Sequence, residues 1–124
     1  MIISTENAPK AIGPYSQARK VGSTLYISGC CPFSPTDGSV VGENIVEQAH
    51  QVMMNLEAIV VAAGYSMNDV VKTTCFISDM GNFVSFNETY KSYFNEGVYP
   101  ARSCVEVSRL PKDVLIEVEA VVAN

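Results

Sequence analysis

The residues best placed to do chemistry lie near the C-terminal end. In Pro100-Ala101-Arg102-Ser103-Cys104-Val105-Glu106-Val107, charged or polar residues alternate with apolar ones, and Leu115-Ile116-Glu117-Val118-Glu119-Ala120 does the same. Period-two alternation reads as a half-buried strand, and Leu110-Pro111-Lys112-Asp113 between the two stretches is turn chemistry. The pair is expected to form a β-hairpin. Arg102, Cys104 and Glu106 would share one face, and Glu117 and Glu119 would share a face of the second strand, with Ile116, Val118, Ala120 and Val122 opposite. If the two polar faces coincide, a guanidinium sits beside carboxylates on a rigid support. That arrangement suits a small carboxylate ligand with a general base next to it. The other reading of the same residues is a solvated face, on which Arg102 merely pairs with Glu106 or Glu117 across the sheet.

Such a pair must be positioned by a fold, and composition bounds which one. The chain has 124 residues, enough to bury one core and too few for two, so a single domain over 1–124 is expected. Hydrophobic residues make up 48% and charged residues 17%. This excludes a disordered chain and leaves few charges to cover a small monomer, so other subunits are expected to cover some apolar surface. The formal net charge is −5 and Lys and Arg form no cluster, which argues against a nucleic-acid partner and requires a local site for any anionic ligand. No stretch has the length of an apolar membrane span, and Met1 to Glu6 shows no basic region before an apolar run; a cytosolic location and no membrane partner are expected. The cysteines are Cys30, Cys31, Cys75 and Cys104; two are adjacent and the others sit in apolar strand patterns, so reduced thiols are expected. No spaced ligand pair accompanies the single histidine, His50, and no metal site is expected.

The remaining elements follow from periodicity. Ala18 to Val21 and Thr24 to Ser28, joined by Gly22-Ser23, read as a hairpin with Leu25 and Ile27 on one face and Tyr26 and Ser28 on the other. A Gly- and Pro-containing loop runs from Gly29 to Gly42. Asn44 with Glu47 is a helix-start arrangement, and Ile45, Ala49, Val52, Met53, Leu56, Ile59, Val60 and Ala63 keep helical spacing up to Gly64. The polar side of this helix, with Glu47, His50 and Gln51, is expected to face solvent. Val70 to Ser78 is a β-branched strand, and Phe83, Phe86, Tyr90 and Phe94 trace one face of a second helix from about Asn82. The order strand, strand, helix, strand, helix, strand, strand suggests an α+β sandwich with both helices on one face of a single sheet. The other face would carry Tyr26, Ser28, Lys72, Thr74, Phe76, Arg102, Cys104, Glu117, Glu119 and Val121, a mixture suited to an oligomer interface lined with a polar site.

At Thr5-Glu6-Asn7-Ala8-Pro9, Ile12-Gly13-Pro14-Tyr15-Ser16-Gln17, Ile27-Ser28-Gly29, Val71-Lys72-Thr73-Thr74, Phe86-Asn87-Glu88-Thr89-Tyr90, Pro100 to Val107 and Arg109-Leu110-Pro111-Lys112-Asp113, the chain resembles the RidA branch of the Rid (YjgF) reactive intermediate deaminase family. The resemblance runs nearly end to end. It implies a chorismate-mutase-like fold, a homotrimer with a central β-barrel and helices outside, and active sites between subunits. It also implies hydrolysis of 2-imino acids such as 2-iminobutanoate and 2-iminopropanoate, released by pyridoxal-phosphate dehydratases, to 2-oxo acids and ammonia. By that resemblance Arg102 clamps the substrate carboxylate, the Cys104 backbone contacts the ligand, Glu117 positions or deprotonates the attacking water, and Tyr15, Ser28 and Asn87 complete the pocket. Glu119 has the weaker claim of the two glutamates.

A protonated imine is already a strong electrophile, so placing carboxylate and water correctly supplies much of the acceleration, and no cofactor is expected. Cys104 lacks an adjacent base, which argues against thiol catalysis. The alternatives are an endoribonuclease that inhibits translation, an activity ascribed to some relatives, and a non-catalytic 2-oxo-acid-binding or holdase module. One departure stands out. After Ile27-Ser28-Gly29 the family commonly has Gln, an aliphatic residue and Pro, whereas this chain has Cys30-Cys31-Pro32-Phe33. The change removes an amide donor near the expected pocket mouth and leaves two adjacent thiols open to oxidation.

Overall fold

The computed structural model describes residues 1–124. The chain starts on a strand too short for periodicity to announce: β1 (Ile2–Ile3) lies antiparallel to β2 (Ala18–Val21) at the edge of the sheet. Gly22 then sets the expected hairpin. Its φ of +60 fits the two-residue turn that takes glycine first, joining β2 to β3 (Thr24–Cys30). Leu25 and Ile27 enter the core while Tyr26 stands exposed on the other side.

Helix α1 (Ile45–Ala62) begins where Asn44 Oδ1 accepts the Glu47 N–H at 2.9 Å. The reciprocal bond goes one residue further back, from the Glu43 N–H to Glu47 Oε1 at 3.0 Å. At the other end Gly64, with φ +88, lets the Gly64 and Tyr65 N–H groups reach the carbonyls of Val61 and Val60. The remaining elements are β4 (Val70–Ile77), α2 (Phe83–Lys91), β5 (Ala101–Glu106) and β6 (Ile116–Ala123). Both helices pack on one face of a six-stranded mixed sheet, and the core between them includes Leu25, Val52, Leu56, Phe86, Val118 and Val122. No helix is long and apolar enough to cross a membrane.

Strand pairing departs from expectation in one decisive way. The sheet order is β1-β2-β3-β6-β4-β5, so β5 and β6 are not a hairpin. β6 lies between β3 and β4, antiparallel to both, and β5 runs parallel to β4 on its far side. Alternation in β6 is that of a half-buried central strand: Ile116, Val118, Ala120 and Val122 are buried, so pairing on both edges satisfies its backbone where water cannot. β5 buries none of its residues and suits the edge. The link between them is held across the end of β4, where the Val107 N–H donates to the Ile77 carbonyl and the Ser78 N–H to the Leu115 carbonyl.

This pairing corrects the face assignment. Thr73, Cys75 and Ile77 stand opposite Arg102, Cys104 and Glu106, and they also stand opposite Ala120, Val118 and Ile116. Arg102 and Cys104 therefore lie on the helix-covered face. Glu117 and Glu119 lie on the other face with Thr74, Phe76, Ser103 and Val105. The predicted polar side of α1 is also only partly solvated. His50 is exposed, its Nδ1 2.9 Å from the Tyr93 hydroxyl, but Gln51 is buried. Gln51 donates to Asn55 Oδ1 at 2.9 Å, and Asn55 donates to the carbonyls of Cys31 and Phe33, each at 3.0 Å. Gln48 likewise donates to the Gly42 carbonyl and accepts the Leu115 N–H.

These amides fasten the loop after β3 to the helix, and losing one leaves buried carbonyls unpaired. Asn55→Ala is expected to lower unfolding free energy by about 1–3 kcal/mol, read as a lower urea midpoint at unchanged slope. An unchanged midpoint would remove Asn55 from the interactions holding this loop.

Candidate active site

The candidate site residues form two groups, one on each side of the sheet. Arg102 leaves β5 toward α2. Its guanidinium carbon lies 4.9 Å from the Tyr90 ring centre and 5.5 Å from that of Phe83, and Nη1 donates to Asn87 Oδ1 at 2.7 Å. The Tyr90 ring is itself fixed, its hydroxyl 2.7 Å from Thr73 Oγ1 and its face against Phe86 and Phe94. Stacking and one amide bond thus hold a planar cation in a single orientation. The ion pairs proposed as the bland reading of Arg102 do not form. The chain's salt bridges are Lys91–Glu88 and Arg109–Asp113, and Glu106 Oε1 instead accepts the Met80 N–H at 2.8 Å. Arg102 has no carboxylate partner within the chain. Cys104 follows on the same face, and β5, paired only with β4, leaves backbone groups along its outer edge for another partner.

Tyr15, Ser28, Glu117 and Glu119 meet on the far side of β4, lining a cleft of about 530 Å³ together with Pro9, Lys10, Gly29, Cys31, Phe33 and Pro111. The register shift in β3 between Ile27 and Cys30 re-aims Ser28 and Gly29 at this cleft. Ser28 Oγ donates to the Ser16 carbonyl at 2.6 Å, which ties the strand to the Tyr15 loop. Glu117 packs against Gly29 so closely that a Cβ there would stand 2.3 Å from Oε2. Glycine at 29 thus leaves room for the Glu117 carboxylate, which any larger side chain would displace.

Gln17 is the residue that sequence reading passed over. It is buried, and its side chain accepts the Thr5 N–H at 2.7 Å and donates to the carbonyls of Thr5, Ala8 and Pro9, shaping the cleft's N-terminal rim. Its place inside a family motif was the available signal. The opposite rim is the turn at Pro111, where Lys112 and Asp113 adopt left-handed φ of 54 and 58. Lys112 Nζ holds that turn to the loop after β3, donating to the Gly38 carbonyl at 3.0 Å and lying 4.6 Å from the Phe33 ring centre.

The departure at Cys30-Cys31 also reads differently in place. Both residues are buried, so they are not an open thiol pair: Cys30 ends β3 in the main core, Cys31 packs in a smaller apolar cluster with Leu110 and Val114, and both reach the cleft lining.

The family model described as Endoribonuclease L-PSP matches residues 5–124. A protein named 2-iminobutanoate/2-iminopropanoate deaminase from Salmonella typhimurium is 51% identical over 121 residues, covering 96% of this chain and 94% of that protein. The chain belongs to the Rid (YjgF) family. A RutC family protein of Pyrococcus horikoshii is 56% identical over 120 residues, covering 97% of this chain and 94% of that one. The crystal structure of E. coli TdcF with bound serine superposes with a TM-score of 0.95 at 46% identity, covering 100% of this chain and 98% of that one.

All the thiols of this Rid protein are free, and none is primed as a nucleophile. Burial pushes the Cys30 and Cys75 thiols up to about 12, raises Cys31 still further with the Glu117 carboxylate adding to the effect, and raises Cys104. Burial also pushes the Tyr90 hydroxyl up to about 12, against the Thr73 hydrogen bond. The folded chain thus holds these protons more firmly than the unfolded chain does. The stabilisation is complete below the ordinary thiol value of 9.0 and is lost as pH rises from there toward 12. Urea midpoints are expected to fall steadily between about pH 9 and about pH 11. A flat profile over that window would contradict the buried, protonated state of these groups.

Proposed function

We propose that this protein hydrolyses 2-imino acids, in equilibrium with their enamines, to 2-oxo acids and ammonia, in sites completed between copies of the chain in a homotrimer. One observation carries the reading: an oriented arginine without a carboxylate partner lies on the opposite side of the sheet from the cleft that holds Tyr15, Ser28 and Glu117. One chain cannot bring the two groups to one small substrate, but a ring of copies can set the β5 side of one against the cleft of the next. A relative with half its residues identical bears the deaminase name, and TdcF binds serine, a ligand with the carboxylate that Arg102 would clamp.

In this reading Arg102 takes the substrate carboxylate through paired N–H···O bonds, with the Cys104 backbone beside it and Asn87 and Tyr90 keeping the fork in plane. The neighbouring copy supplies Glu117, which accepts a proton as water adds to C2 of the protonated imine. A water lone pair forms the C–O bond as the C=N π pair moves onto nitrogen, giving a carbinolamine. Proton transfer to its nitrogen then lets ammonia leave as the carbonyl forms. Holding carboxylate, C2 and water in one geometry converts a bimolecular addition into a bound one. Tyr15 and Ser28 wall the pocket. The family description also keeps an endoribonuclease reading in view, but net charge −5 gives no attraction for a phosphate backbone.

The test couples a pyridoxal-phosphate threonine dehydratase to L-threonine with semicarbazide present as the imine trap. Catalytic amounts of the protein are expected to suppress semicarbazone formation while 2-oxobutanoate and ammonia rise. Arg102→Ala is expected to lose at least about a hundredfold in kcat/KM while remaining a trimer, and Arg102→Lys to recover little of it, since a point charge does not replace the fork. Full activity in Arg102→Ala would contradict the mechanism. Tight binding of 2-oxobutanoate without turnover would favour a sensor, and RNA cleavage lost in Arg102→Ala would favour the nuclease.

A further inference from the structure

The two thiols that set this chain apart from the common family pattern have different surroundings, and one of them touches the proposed chemistry. Gly29 and Cys31, the first residue past β3, both line the cleft with Glu117, and Cys30 between them also belongs to the main core. Cys30 pairs with Val118 at the end of the ladder, so the chain leaves β3 at Cys31 next to the level of Glu117. The Glu117 side chain folds over Gly29 into the space beside the Cys31 thiol. Ser28 Oγ and Lys112 Nζ donate elsewhere, to the Ser16 and Gly38 carbonyls. The Tyr15 hydroxyl accepts the Ile12 N–H and keeps its own proton free, and Lys10 also lines the cleft, but the Cys31 thiol is the donor beside the carboxylate where it lies over Gly29.

We propose that Cys31 is a positioning residue for Glu117, its S–H donating to the carboxylate and holding it over Gly29 in the orientation that receives the water proton. This rests on the role given to Glu117 above. An aliphatic side chain at 31 would wall the same space but could donate nothing. A buried thiol that stays protonated across the working pH range is a permanent, weak donor that can orient the carboxylate. The same burial keeps it from acting as a nucleophile.

Two measurements separate this role from packing. In the coupled imine assay, Cys31→Ala is expected to lower kcat about tenfold with KM within about twofold of wild type, and Cys31→Ser, which restores a donor of similar size, to return most of the loss. Equal impairment of both variants, or none in either, would overturn the proposal. Independently of activity, the infrared S–H stretching band of Cys31, isolated as the wild-type minus Cys31→Ser difference, is expected at lowered frequency and to move up in Glu117→Ala. A band indifferent to Glu117→Ala would overturn the contact. A band that moves as expected in a protein unable to turn over imines would support the contact and count against the deaminase reading instead.

Discussion

The pleat of one central strand governs this molecule. β6 is hydrogen-bonded on both edges, so its alternation cannot slip without turning its apolar side chains away from the helices. That constraint puts Glu117 and Glu119 outside. Carried through β4 to β5, the same register puts Arg102 inside against α2. The acid and the cation are thus assigned to opposite sides by the requirement for one dry core, which is why the proposed site calls on a second copy.

Each half is stiffened before any ligand arrives. On the helix side, two aromatic rings and the Asn87 amide restrain Arg102, whose flexible stem would otherwise lose its entropy on binding. On the cleft side, the buried amides of Gln17 and Asn55 hold the N-terminal loop and the loop after β3, and Lys112 bridges from the Pro111 turn. These are polar groups spent on shape. Two consecutive left-handed residues at Lys112 and Asp113 are the local strain that the surrounding contacts offset.

Much of this was legible in the residues. The helix from Ile45 announced itself through Asn44, Glu47 and Gly64, because capping is local chemistry. Alternation located β4, β5 and β6, since burial on one face imposes period two on any such strand. Pairing was not legible. Arg102 and Glu117 are close in sequence with a turn between them, which suggests a hairpin, and only the competition among strands for the central position decides that β4 separates them. Asn55 and Gln51 fell on a helix face whose hydrophobic spacing gave no sign that amides there would anchor a loop. Family resemblance named Arg102, Glu117, Tyr15, Ser28, Asn87 and Cys104 together, and their division between two sides of the sheet emerged only in three dimensions.

The central claim is that Arg102 and Glu117 act on one substrate from different copies of the chain. Arg102→Ala and Glu117→Ala proteins, each inactive alone, would be unfolded together in equal amounts, refolded and assayed for imine hydrolysis. In a trimer with sites between neighbours, every ring containing both chains has one site with both residues intact. Random mixing would then restore about a quarter of wild-type activity. Refolded mixed trimers with no activity would contradict the claim and place both residues of each site on the same chain.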